Sequence, residues 1–157
     1  PKDARALDVA CGTGVFTRAL APLCKSMVGL DATNAMLDRA RAVQNTNDSQ
    51  SEATYVCGDA VELPFDDCSF DVVGTRLAIH HFPDPSLVIS EMARVCAPNG
   101  LAVVVDIVAD DNPATAAEHN RLEILRDPTH TNALPISELH ALINSTRTLE
   151  VLPPPDG

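Results

Sequence analysis

The run Ala6-Leu7-Asp8-Val9-Ala10 breaks at Gly12-Thr13-Gly14 and gives way to apolar residues at Val15, Phe16, Leu20 and Leu23. A short apolar run followed across two glycines by helical spacing predicts a strand, a tight turn and a helix. The succession repeats at once. Ser26 to Asp31 reads as a second strand, and Thr33 is a plausible N-cap for a helix with Met36, Leu37, Ala40 and Val43 on one face. Strands that alternate with helices are joined by crossovers, so they form a parallel sheet with its faces covered.

Later segments extend the pattern. Ala53 to Cys57 and Phe70 to Gly74 read as strands three and four, with Asp66-Asp67 in the turn between them. Asp84-Pro85 supplies an N-cap and a first-turn proline for a helix ending near Cys96, where Pro98-Asn99-Gly100 stops it. Leu101 to Val108 is the most continuous apolar run and is expected at the sheet centre, buried on both faces. Pro113 to Arg126 and Ser137 to Ile143 read as helices, and Leu149 to Leu152 as a last short strand. The fold class is α/β, a doubly wound, Rossmann-like, mostly parallel sheet in one domain over residues 1–157.

Composition narrows the function classes. The 157 residues carry 11 Lys and Arg against 22 Asp and Glu, a formal charge of -11. Such a charge repels polyphosphate and anionic lipid, which excludes nucleic acid and membrane surfaces as expected partners. No stretch approaches the roughly 20 apolar residues of a membrane span. The five cysteines are scattered at 11, 24, 57, 68 and 96. That spacing fits neither a zinc site nor a CxxC motif, so free thiols, a reducing cytoplasm and no metal are expected.

In an open parallel sheet, ligands sit outside the carboxyl ends of the strands. The missing side chains of Gly12 and Gly14 would let a ligand approach backbone amides at a helix N-terminus. Asp31, ending the second strand about 20 residues beyond the glycine turn, is placed to accept bonds from ribose hydroxyls. Together these indicate an adenosine-type cofactor. Thr17 stands where a dinucleotide motif has its third glycine, and Asp8 lies where a pyrophosphate would approach, so a cation is favoured over an anion.

Leu7-Asp8-Val9-Ala10-Cys11-Gly12-Thr13-Gly14 resembles the first motif of class I S-adenosylmethionine-dependent methyltransferases. Gly58-Asp59-Ala60 with Leu63-Pro64-Phe65, Phe70-Asp71-Val72-Val73, His80-His81-Phe82-Pro83-Asp84 and Arg94 to Gly100 resemble later segments of the small-molecule branch that includes the ubiquinone and menaquinone biosynthesis enzymes. The likeness covers roughly residues 6–145. It implies S-adenosylmethionine as cofactor, a small-molecule substrate and methyl transfer. It places Asp8, Ala10, Cys11, Gly12, Thr13, Gly14, Asp31, Ala32, Asp59 and Ala60 at the cofactor, with Asp59 receiving the adenine amine.

Ala10 and Asn99 replace glycines common in the family, Ala10 still permitting close approach and Asn99 tolerating a left-handed turn. The family fold has seven strands and an N-terminal helical segment, so this chain is expected to be incomplete at both ends. His81 is the expected catalytic base, needed only if the acceptor is protonated. Arg76, His80 and His130 are expected at the substrate, and an extended loop would point His80 and His81 to opposite sides. Cys11 is expected to line the site through its backbone and not as a nucleophile. Leu122, Ile124 and Leu125 are expected in the core or a pocket lid. The alternatives are a nicotinamide-dependent oxidoreductase and a non-catalytic cofactor-binding remnant.

Overall fold

The computed structural model describes residues 2–46, 53–146 and 148–151. Five parallel strands form one sheet: β1 (Arg5–Val9), β2 (Ser26–Asp31), β3 (Ala53–Cys57), β4 (Phe70–Arg76) and β5 (Cys96–Val105). Their order is β3-β2-β1-β4-β5. Five helices accompany them: α1 (Val15–Leu20), α2 (Asn34–Thr46), α3 (Pro85–Val95), α4 (Pro113–Arg126) and α5 (Ile136–Ser145). The doubly wound α/β class read from the sequence is the one observed.

Side chains of β1 alternate between two cores, as the two-residue period of a strand requires. Ala6 joins Met27, Leu37, Ala40 and Tyr55 beside α2, while Leu7 and Val9 join Leu30, Val88, Ile89 and Met92 beside α3. Asp8 faces the same side as Ala6, where Thr17 of α1 lies against it. The chain from β3 to β4, residues 58–69, crosses over without a helix.

Several expectations are corrected. Leu101 to Val108 is not the sheet centre: β5 is an edge strand, half-exposed along most of its length. The apolar run fixes neither cover on both faces nor neighbours within the sheet, and Leu101, Val105 and Val108 all stand among the exposed apolar residues. The strand also begins earlier, because α3 passes directly into Cys96, which pairs with Phe70 before a bulge places Leu101 opposite Val72. Asn99 takes the left-handed conformation (φ 63°) in that bulge. Among the described residues, Leu149 to Val151 form no strand. In α4 no residue is buried, and Leu125 is 72% exposed, so the stripe Leu122, Ile124, Leu125 is not core. No helix of the described residues is long and apolar enough to cross a membrane.

The apolar face of α2 is narrower than its sequence spacing suggests. Leu37 and Ala40 are fully buried, whereas Met36 is 37% exposed and Val43 40%. Chemical denaturation should therefore show Leu37→Ala losing about 2 to 5 kcal/mol and Met36→Ala within about 0.5 of the parent.

Candidate functional site

The crevice lies where β1 and β4 part, their following helices covering opposite faces of the sheet. β1 leaves the sheet through Ala10 (φ 55°), Gly12 (φ 54°) and Gly14 (φ 72°) before α1 begins. A Cβ on Gly14 would stand 2.5 Å from the Tyr55 hydroxyl oxygen, so packing of β3 under the turn excludes one there. A Cβ on Gly12 would meet nothing within 4 Å and would project into open space. Ala10 holds its left-handed conformation with a methyl group attached, a strain of roughly 1 to 2 kcal/mol. Thr13 completes the turn, its carbonyl accepting from the Arg18 guanidinium at 2.6 Å.

Three amides of this turn are already engaged. Cys11 N–H donates to the Leu30 carbonyl (2.8 Å), Gly14 N–H to the Cys11 carbonyl (2.9 Å) and Gly12 N–H to Asp31 Oδ2 (2.8 Å). Of the amides expected to face a ligand, those of Cys11, Gly12 and Gly14 are thus taken. An anion cradle needs free N–H donors; here three are occupied and carboxylates flank the turn. Such a site suits a neutral or cationic group better than a pyrophosphate.

Asp31 ends β2 half-buried, and its Oδ1 accepts from Thr33 N–H at 2.8 Å, so one carboxylate ties the glycine turn to the start of α2. Each oxygen keeps a second lone pair for a ligand hydroxyl. Ala32 follows it, exposed.

Asp8 is 1% exposed; its Oδ2 accepts from Thr17 Oγ1 at 2.6 Å, while Oδ1 is buried without a partner. Burial pushes its pKa up to about 6, against the hydrogen bonds from Thr17. An orphaned buried carboxylate oxygen fits a cofactor that carries an ammonium group, as S-adenosylmethionine does. Burial, with the charges of Asp8 and Asp31, pushes the Cys11 thiol up to about 12, so it is no thiolate nucleophile at neutral pH.

β3 delivers the next residues to the same end. Gly58 N–H donates to the Asp31 carbonyl at 3.1 Å, and Asp59 is exposed just beyond it, its Oδ1 accepting from Val61 N–H at 3.0 Å. Ala60 is buried behind it.

After β4 the structure gathers three histidines. A 3-10 turn over Ile79–His81, rather than an extended loop, brings the His80 and His81 rings to 4.1 Å between centroids, and His130 stacks on His80 at 5.3 Å. His80 is 5% exposed, its Nδ1 hydrogen-bonded to Asp106 Oδ1 and its backbone N–H donating to Asp106 Oδ2 at 3.2 Å. His81 is half-buried; its Nδ1 lies 3.0 Å from the Thr129 carbonyl, which can only accept. The proton therefore sits on Nδ1, and Nε2 carries the lone pair.

His130 Nε2 lies 2.7 Å from Asn120 Oδ1. The orientation of that amide is set by Ala133, whose N–H donates to Oδ1 and whose carbonyl accepts from Nδ2. Nε2 of His130 must then donate, leaving Nδ1 a buried lone pair without a partner. Burial, reinforced by His80, holds the His130 pKa below its usual value. Arg76 ends β4 exposed, with no ion pair among the described residues, and its charge favours the ionised form of Asp8.

Sequence reading missed Asp106 and Asn120. Asp106 lay hidden inside the run Leu101 to Val108. With the strand ending at Val105 it is a strand-end carboxylate, found by the same logic as Asp31. Asn120 has no local signal, because its partners are ten and thirteen residues away. Among the described residues no group of three or more His, Cys, Asp or Glu could hold a metal ion.

A family model described as methyltransferase domain matches residues 7–104. The uncharacterized methyltransferase YcgJ of Bacillus subtilis is 33% identical over 143 residues, covering 91% of this chain and 56% of the relative. Demethylmenaquinone methyltransferase of Bacillus licheniformis is 40% identical over 109 residues, covering 68% and 46%. The chain thus spans about half the length of these curated relatives. The YcgJ crystal structure superposes with a TM-score of 0.88 at 32% identity, covering 92% of this chain and 62% of that one. A candidate methyltransferase of Bacillus halodurans gives 0.89 at 36%, covering 93% and 63%. The oxidoreductase alternative finds no support in these relatives.

The raised pKa of Asp8 has a definite consequence for stability. A carboxyl that holds its proton more tightly when folded contributes stability that is fully present below about pH 4 and is lost as pH rises through about 6. The loss relative to Asp8→Asn should reach on the order of 3 kcal/mol by pH 7. Urea unfolding of both proteins from pH 4 to 7 measures it, and a pH-independent difference would contradict the assignment.

Proposed function

The chain belongs to the methyltransferase domain family, and on that premise we propose that it binds S-adenosylmethionine at the carboxyl ends of β1, β2 and β3 and methylates a small-molecule acceptor held beside His81. When bound, this cofactor supplies a sulfonium-activated methyl group on a good leaving group. The observation that carries the reading is the glycine turn itself, with three of its amides engaged internally, open space ahead of Gly12 and the orphaned Asp8 oxygen alongside.

In this reading Asp8 receives the ammonium of the amino-acid tail and Asp31 the ribose hydroxyls. Asp59 receives the exocyclic amine of adenine, with Ala60 behind it. Ala10, Cys11, Gly12, Thr13 and Ala32 line the cofactor through their backbones, and Gly14 lets the turn close on Tyr55. The remaining chemistry is positional, because an activated methyl needs an acceptor held about 3 to 3.5 Å away and in line. His81 takes a proton through Nε2 when the acceptor carries one, its other nitrogen held by Thr129. His80, expected at the substrate, is buried and held by Asp106 against the His81 ring, and His130 and Arg76 border the acceptor. Demethylmenaquinone, the substrate named for the Bacillus licheniformis relative, is the first acceptor to try. The chemistry calls for no metal, since the leaving group is already activated.

Calorimetry with S-adenosylhomocysteine tests the cofactor assignment. The parent should bind it and ignore NADH, and Asp31→Ala should lose at least about tenfold in affinity, as expected for a bond to a charged group. Gly12→Val should lose more, by filling the open space ahead of the turn. Unchanged affinity in Asp31→Ala would sink the assignment. With a protic acceptor, His81→Ala should lower kcat by roughly 100-fold or more while leaving S-adenosylhomocysteine affinity unchanged; activity should survive exhaustive chelation.

A further inference from the structure

The loop over residues 58–69 carries Asp59 yet contains neither helix nor longer strand, so something outside it must hold its shape. Its middle is bound by two side chains of α3. Leu63 N–H donates to Glu91 Oε2 at 2.7 Å, and the Arg94 guanidinium donates to the carbonyls of Leu63 (3.0 Å) and Phe65 (2.8 Å). The same guanidinium donates to both oxygens of Glu91, each at 2.7 Å, and to Asp67 Oδ1 at 2.8 Å. Cys68 N–H then donates to the Arg94 backbone carbonyl at 2.9 Å.

We propose that Arg94 and Glu91 are positioning residues for adenine recognition, clamping the loop in the shape that presents Asp59 to the purine. The proposal rests on the cofactor reading above. Asp59 lies between two anchors, Gly58 on the Asp31 carbonyl at one end and Leu63 on Glu91 at the other. Only residues 59–62 span the gap, closed on themselves by Val61 N–H to Asp59 Oδ1 (3.0 Å) and Glu62 N–H to the Asp59 carbonyl (3.4 Å). The buried side chains of Ala60 and Leu63 fix which face of this short span turns outward. Releasing the Leu63 anchor frees one end and lets the Asp59 carboxylate wander.

An arginine is needed because its planar fork reaches the carboxylate and two carbonyls together, whereas a lysine ammonium is a point donor that cannot hold that spread. Arg94 also holds the Glu91 carboxyl below its usual range, so the clamp stays charged through neutral pH.

The test is calorimetry with two probes, S-adenosylhomocysteine and S-inosylhomocysteine, whose purine carries a carbonyl oxygen where adenine has its amine. The parent should prefer the adenosyl compound by about tenfold or more, as one bond to a carboxylate implies. Arg94→Lys and Glu91→Gln should lose most of that preference at a melting temperature within a few degrees of the parent, and adding either to Asp59→Asn should cause no further loss. A change in discrimination separates positioning from mere support of the fold. If Arg94→Lys melts below the assay temperature, Glu91→Gln decides the question. Folded variants that keep the parent's preference would overturn the clamp alone. A parent that binds both probes equally would overturn the Asp59 assignment and the clamp with it, and a parent that binds neither would overturn the cofactor reading.

Discussion

Between β1 and β4 the direction of winding reverses, and the crevice exists because of it. The chain moves outward from β1 through β2 to β3, then returns across the sheet to β4 and continues outward to β5. Since parallel crossovers keep one hand, the helices on the two sides of that reversal cover opposite faces. The turns that follow β1 and β4 therefore diverge at the carboxyl edge, and no side chain has to be removed to make room. The single carboxylate of Asp31 then ties the glycine turn after β1 to the start of α2 after β2.

Around that crevice the usual rules of stable folding are broken in several places. Ala10 is left-handed without being glycine, Leu77 is left-handed with a large side chain, Asp8 buries a carboxylate oxygen without a partner, and His130 buries a bare ring nitrogen. Each costs stability, and all lie within or just beyond β1, just beyond β4 or in the histidine cluster. Strain and orphaned polar atoms persist only where surrounding packing over-determines them, and they tend to gather at functional sites. The two cores flanking β1 supply that packing.

The elements farther out work as supports. α4 buries no residue, yet it places Asn120 to fix the His130 tautomer, and the turn after it places Thr129 against His81. α3 plays the corresponding part on the other side of the crevice, burying Val88, Ile89 and Met92 in the core while Glu91 and Arg94 grip the loop after β3. In α3 one face supplies the packing and another the polar side chains, whereas α4 contributes through Asn120 without a buried face.

Sequence alone determined the class of fold and the position of the glycine turn, because two-residue and helical periodicities and the glycines at 12 and 14 are local signals. It also marked Asp8 and Asp31 as carboxylates at strand ends, which can be recognised without knowing what packs against them, whereas Asp59 was marked only by resemblance to the family's segment after the third strand. Strand order was not legible: the apolar run of β5 implied cover on both faces, whereas the strand is half-exposed along most of its length, and its place at the edge depends on which strands pair beside it. Nor was the shape of the histidine cluster, where a 3-10 turn replaced an extended loop because Asp106, Thr131 and Asn132 bind its backbone from distant parts of the chain. Only the tertiary structure decided that the amides of the glycine turn are engaged from within, that Asp106 fixes His80, and that Arg94 reaches back to Leu63. These are hydrogen bonds between residues brought together by the crossovers, and no periodicity along the chain encodes them.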